Sequence, residues 1–169
     1  MEKAKRRIVE GWVDTAANQL QAAKSHLNSY MQFAECIQAA QQCIELSLKS
    51  ILLLLGVDYG SSHGLDQPQF SKLAKQIQDS DLVDRLAAQN LAHIRLPRLL
   101  LLANLWAHFY QPAKYGLQSG YLAPAKDLFD REEATLALRH AEECYSAAIQ
   151  VKCLDETQLT TLNSVDRGL

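Results

Sequence analysis

Long apolar runs, glycine-rich loops and paired cysteine motifs are all missing from this chain, and each absence removes a class of function. The most apolar stretches, Ile51 to Leu55 and Leu99 to Leu102 with their neighbours, fall short of the ~20 residues a helix needs to cross a bilayer. No membrane span is expected. Residues Met1 to Arg7 are charged and lead straight into an amphipathic pattern, without a secretory apolar core, so the chain reads as cytoplasmic. Cys36, Cys43, Cys144 and Cys153 lack CxxC spacing and have no histidine at zinc-ligand distance, which predicts buried, reduced thiols. The 5 histidines fall on separate elements without HExxH spacing, and neither a phosphate loop nor a serine elbow is present. No metal or other cofactor is expected. A net charge of −2 gives the whole chain no electrostatic claim on nucleic acid, so any such claim rests on a local patch.

What is present is helical. With only 7 glycines and 4 prolines in 169 residues and regular use of Ala, Leu, Gln, Lys and Glu, the composition predicts one all-α domain large enough to bury its own core. Ile8, Trp12, Ala16, Leu20, Ala23 and Leu27 recur at helical spacing, predicting a long amphipathic helix over about Ala4 to Leu27. Its first turns hold Lys3, Lys5, Arg6 and Arg7, the unfavourable sign for a helix start; a solvated end or an RNA contact would each account for them. After a break at Asn28 and Ser29, the stripe from Tyr30 through Ile37, Ile44 and Ile51 to Leu55 predicts a second long helix, ending at Gly56. The short connection makes the two antiparallel, which begins a helical bundle.

Gly56 to Gln69, with Gly60, Gly64 and Pro68, reads as a loop holding His63, followed by shorter helices over Phe70 to Ile77 and Leu82 to Ile94. The segment from Pro97 to Tyr110 is the most apolar in the chain. Proline is suited to a first helical position and cannot continue a helix interior, so this helix is expected to stop before Pro112. Being apolar nearly all round, it should be buried nearly all round, within its own domain or against a second copy. A connection from Gln111 to Phe129 follows. Asp130 to Glu133 resembles a capping box that opens a last long helix, reaching about Cys153. Residues 154–169 lose the period and are expected to form a disordered tail, leaving residues 1–153 as the domain.

The Trp12 to Leu27 helix, the run from Ala40 to Lys49 followed by Ile51 to Gly56, the His63-Gly-Leu65 loop and the Asp130 to Ala148 helix together resemble the HEPN domain family. The resemblance covers about Arg7 to Val151 and implies an antiparallel bundle with two long N-terminal helices, shorter middle helices and a long C-terminal helix, dimerising through its long helices. In ribonuclease members of that family the signature is an arginine, four to six residues, then histidine, extended in toxin members paired with a minimal nucleotidyltransferase to His-x-Tyr. His108 and Tyr110 match the His-x-Tyr, and Asn104 matches the polar residue after the arginine, but Ala103 stands at the arginine position. The resemblance implies metal-independent RNA cleavage in a toxin–antitoxin or defence setting, with His108 as general acid or base. It also implies a homodimer, a nucleotidyltransferase partner and Tyr110 as the acceptor of nucleotidyl modification. Loss of a preorganised charge stabiliser costs roughly 10²–10³ in rate, so Ala103 implies a weak or degenerate site.

Arg98 lies ten residues before His108, about 15 Å along one helix, too far to act within one chain. An antiparallel crossing of two copies near the small Ala103 would bring it toward the partner's His108. A non-catalytic nucleotide-binding or protein-interaction module is the alternative, with its cleft between the His63 loop, the 111–129 connection and the central helix. There Lys114, Tyr115 and Tyr121 would neutralise and stack on a nucleotide.

Overall fold

The computed structural model of the chain describes residues 2–60 and 65–164, and among them it contains helices, turns and one isolated β-bridge. The expectation attached to His63 lies outside the described residues. The helices are α1 (Glu2–Leu27), α2 (Phe33–Leu54), α3 (Gln67–Asp79), α4 (Leu82–Ala88), α5 (Leu96–Tyr115), α6 (Arg131–Lys152) and α7 (Glu156–Asn163). The all-α bundle expected from composition and periodicity is therefore the observed fold.

Helix α2 is its axis, packed against α1, α5 and α6. It can be enclosed so completely because its side toward α6 is small: the Cys36 and Cys43 thiols donate to the Ala134 and Ala141 carbonyls at 3.6 and 3.8 Å. Burial pushes these thiols up, to about 11 at Cys36 and about 12 at Cys43, so they remain protonated donors. Cys153 is exposed, against the expectation that all four cysteines are buried; it caps the end of α6, beyond the packed face. The capping box expected at Asp130 is formed: Glu132 N–H donates to Asp130 Oδ1 at 2.8 Å, and Asp130 N–H to Glu133 Oε2 at 2.9 Å.

Besides small shifts at the starts of α2 and α3, three boundaries differ from expectation. Helix α4 stops at Ala88, six residues short, and a 3₁₀ turn (Ala92–Ile94) leads through the left-handed Arg95 (φ 55°) into α5. Helix α5 runs through Pro112 to Tyr115. Pro112 offers the His108 carbonyl no N–H, but Ala113 is buried and its carbonyl accepts a hydrogen bond from Gln38 Nε2 at 2.8 Å, so the last turn is held from outside. The helix ends instead at Gly116, whose φ is +75° and where a Cβ would stand 2.4 Å from the Ala123 carbonyl oxygen.

The third difference is the C-terminal segment. Residues expected to be a disordered tail form α7, opened by a second capping box in which Gln158 N–H donates to Asp155 Oδ1 at 2.8 Å and Asp155 N–H to Gln158 Oε1 at 3.1 Å. Leu159 and Leu162 are buried. Asn163 Nδ2 donates to the Leu54 carbonyl at 3.0 Å, and Arg85 Nη1 to the Leu162 carbonyl, fastening α7 to α2 and α4. The Asp-x-x-Gln spacing followed by two leucines was the available signal.

Helix α5 is held to α6 by two polar ties. Arg98 forks onto Glu143, Nε to Oε1 at 2.7 Å and Nη2 to Oε2 at 2.9 Å. Deeper in, Trp106 Nε1 donates to His140 Nδ1 at 3.0 Å, which requires the ring to be neutral and protonated on Nε2. Burial, and then the positive charge of Arg98, hold His140 below the ordinary histidine value. The unfolded chain thus binds this proton more readily than the folded one. Its stabilising contribution is complete above the unfolded value of about 6.5 and is lost as pH falls below it. We expect the Tm to fall more between about pH 7.5 and about pH 5.5 in the native chain than in His140→Asn, whose amide oxygen can still accept from Trp106. Equal pH sensitivity of the two proteins would contradict this assignment.

Candidate functional site

The middle of α5 presents its residues to two different environments. Asn104 turns toward the segment that precedes α3, its Nδ2 donating to the Leu65 carbonyl at 2.8 Å. It therefore does not pair with His108, one turn on. His108 is exposed and forms no hydrogen bond with any described residue. Tyr110 is half-buried, and its hydroxyl accepts from Lys114 Nζ at 3.3 Å. The Lys114 ammonium stands 5.5 Å from the Tyr110 ring centroid and 5.2 Å from that of Tyr115. The Tyr115 and Tyr110 hydroxyls hold it above the ordinary lysine value.

His108 and Tyr110 border a cleft of about 700 Å³ between α1, α2, the start of α3 and α5, with Trp12, Gln42, Asp66 and Gln111 also on its walls. Two further wall residues neutralise each other: Lys49 Nζ donates to Glu45 Oε1 at 2.7 Å while Gln41 Nε2 donates to Glu45 Oε2 at 3.1 Å. Asp66 caps α3, its Oδ1 accepting from Gln69 N–H at 2.9 Å, and its second oxygen bonds to no described residue. Trp12, Gln42 and Gln111 likewise direct no side-chain hydrogen bond to a described residue. Sequence reasoning placed Trp12 on a packing stripe and passed over the glutamines. The adjacent Gln41 and Gln42, set in an otherwise apolar stretch of α2, were the signal that a polar pocket begins there. The cleft differs from the expected one: of the 111–129 connection only Gln111 lines it, and Lys114, Tyr115 and Tyr121 lie outside it.

Two other expectations meet obstacles. Ala103 is only 4% exposed and sits about 140° around the helix from His108. An arginine introduced there would start from inside the core. Ala103 faces the core, so it is not itself a point of contact for a second copy of α5, and Arg98, the cation that such a crossing was to deliver, is engaged by Glu143 within its own chain. Within the single chain Arg98 is turned to Glu143 on α6 rather than to His108.

On its outward side α5 is not covered within its own domain, the first of the two ways in which its burial was expected. Leu101, Leu105 and Phe109 recur at four-residue spacing with 54%, 40% and 36% exposure, and His108 stands among them. An apolar stripe therefore runs alongside the cleft with His108 on the ridge between. Of the basic residues at the start of α1, Arg6 is engaged elsewhere: its Nη2 donates to the Leu154 carbonyl at 3.2 Å.

Among the described residues no helix is long and apolar enough to cross a membrane. No curated protein and no solved structure matches the chain. The sequence model of the HEPN domain family matches residues 9–152, a span that takes in α2, α5, α6 and every wall residue of the cleft and leaves α7 outside. The helical bundle and the extent of this match agree, and the chain belongs to the HEPN domain family.

Proposed function

We propose that the protein is a homodimeric HEPN-domain ribonuclease of toxin–antitoxin or defence type, with a weak, metal-independent site centred on His108. The observation that carries the reading is the position of His108: exposed, without a hydrogen-bonding partner among the described residues, and set between a polar cleft and an apolar stripe. A histidine so placed is available to exchange protons with RNA. In the step proposed, the ribose 2′-oxygen attacks phosphorus and the bond to the 5′-oxygen breaks, leaving a cyclic phosphate. His108 takes the 2′-hydroxyl proton or delivers one to the departing oxygen. Lys114, held beside Tyr110, is the nearest cation along α5 to offset phosphate charge, with Tyr115 beside it as a stacking surface. The family's arginine position is the buried Ala103, about 140° around the helix from His108, so no arginine there supplements Lys114 and the activity is weak.

Dimerisation through the α5 stripe suits this chemistry. An antiparallel crossing centred between Trp106 and Ala107 sets Leu105 opposite the partner's His108 and Leu101 opposite the partner's Pro112, so each histidine gains an apolar neighbour that reduces access of water. Arg98 plays no part in this arrangement. The second reading, a nucleotide-binding module without catalysis, is favoured by the size of the cleft and by Ala103.

Cleavage of a single-stranded RNA by the purified protein in the presence of a chelator separates them. We expect slow cleavage that falls by at least about 100-fold in His108→Ala, with Tm unchanged because the side chain is exposed. Cleavage that survives in His108→Ala, or none in the native chain, would overturn the ribonuclease reading. The family resemblance also points to a nucleotidyltransferase partner acting on Tyr110, where an added phosphate would place negative charge beside Lys114 and obstruct RNA. Intact-mass and peptide analysis after co-expression with a cognate transferase should locate the modification on Tyr110; modification elsewhere would contradict it.

A further inference from the structure

The cleft beside His108 has the wrong charge for a phosphate. Among the described residues its carboxylates and ammonium groups are those of Glu45, Lys49 and Asp66. With Lys49 bound to Glu45 at 2.7 Å, the remaining formal charge is that of the Asp66 carboxylate. An RNA phosphate placed inside would meet a carboxylate with no uncommitted cation among the described residues to offset it. The neutral wall groups suit a different part of a nucleotide. Trp12 and Tyr110 supply aromatic surface, and the Gln42 and Gln111 amides each present a donor and an acceptor without a described partner. Planar stacking surface with paired donors and acceptors is the chemistry that reads a nucleobase by its face and edge.

We propose that this cleft is a nucleobase subsite that selects bases carrying an exocyclic amino group over uracil, with the sugar and phosphate left at its mouth beside His108. The selecting group is Asp66. Its free carboxylate oxygen is acceptor-only, so it bonds an amino group of guanine, adenine or cytosine. In uracil the one ring N–H lies between two carbonyl oxygens, and both repel an approaching carboxylate. Guanine presents two adjacent donors and is the best fit. The inference names the base bound at the site proposed above for RNA cleavage and rests on that reading only for the placement of the phosphate.

Calorimetric titration of the full chain with guanosine and with uridine tests it, since neither nucleoside carries a phosphate and no cleavage is required. Guanosine should bind about tenfold more tightly than uridine, the effect of one charge-assisted hydrogen bond. Asp66→Asn keeps an N-cap oxygen for α3 but replaces the acceptor-only group by an amide, and should bring the ratio close to one with Tm unchanged. Gln42→Ala should weaken guanosine binding while leaving the fold intact. Equal affinities in the native chain, binding of neither nucleoside, or a preference that survives Asp66→Asn would each overturn the proposal. Selective nucleoside binding without RNA cleavage would uphold the subsite and refute the ribonuclease. His108-dependent cleavage without nucleoside selectivity would do the reverse.

Discussion

The close approach of α2 and α6 is the constraint on which the remaining packing rests. Small buried residues meet there: Cys36, Ala40, Cys43 and Ser47 on α2 with Ala134, Ala137, Ala141 and Cys144 on α6. Side chains of this size let two helices pack near enough for thiols to reach carbonyls on the neighbouring backbone, and a longer side chain at such a site would push them apart. With α6 packed close on this side, α1 and α5 pack on the rest of α2. The cleft has its walls on α1, α2 and α5.

From that arrangement follows the divided character of α5. Its inner side supplies Leu99, Ala103 and Trp106 to the core, and Trp106 is fixed there by a neutral His140. Its outer side keeps an apolar stripe that no described residue covers. Exposed leucines at helical spacing signify an interaction surface when they are contiguous, and here they surround a histidine and adjoin a cleft. Packing, chemistry and association are thereby assigned to different faces of one helix. Charge is divided in the same way: Arg98 is spent on Glu143 toward α6, Lys49 on Glu45 within the cleft, and Lys114 remains on the rings of Tyr110 and Tyr115 near the end of the helix.

Most of the fold was legible in the sequence because it depends on local patterns. The stripes of α1 and α2, the break after Leu27 and the Asp130 capping box each leave a periodic or positional trace. What was not legible depends on contacts distant in sequence. Pro112 ends a helix by any local rule, yet Gln38 from α2 and the buried Ala113 carry α5 past it. Helix α7 is short and polar enough to resemble a tail, and it is held by Leu54 and Arg85, far back in the chain. The candidate site was legible only in part. His108 and Tyr110 stand out by motif, whereas Asp66, Gln42 and Trp12 acquire meaning only when three helices bring them to one cleft. Ala103 was recognised as the position lacking an arginine, but its burial, which bears on both restoring that charge and crossing a second helix there, required the structure.

The central claim is that the outer face of α5 is a seam between two copies, with His108 along it. The most direct measurement is the mass in solution, by sedimentation equilibrium, of the native chain and of Leu105→Glu. Leu105 is 40% exposed, so the substitution leaves the core intact while placing a carboxylate at the centre of the proposed seam, where like charges or an unpaired buried charge oppose association. The account predicts a native dimer and a folded Leu105→Glu monomer. A native monomer, or a Leu105→Glu dimer as tight as the native one, would contradict it.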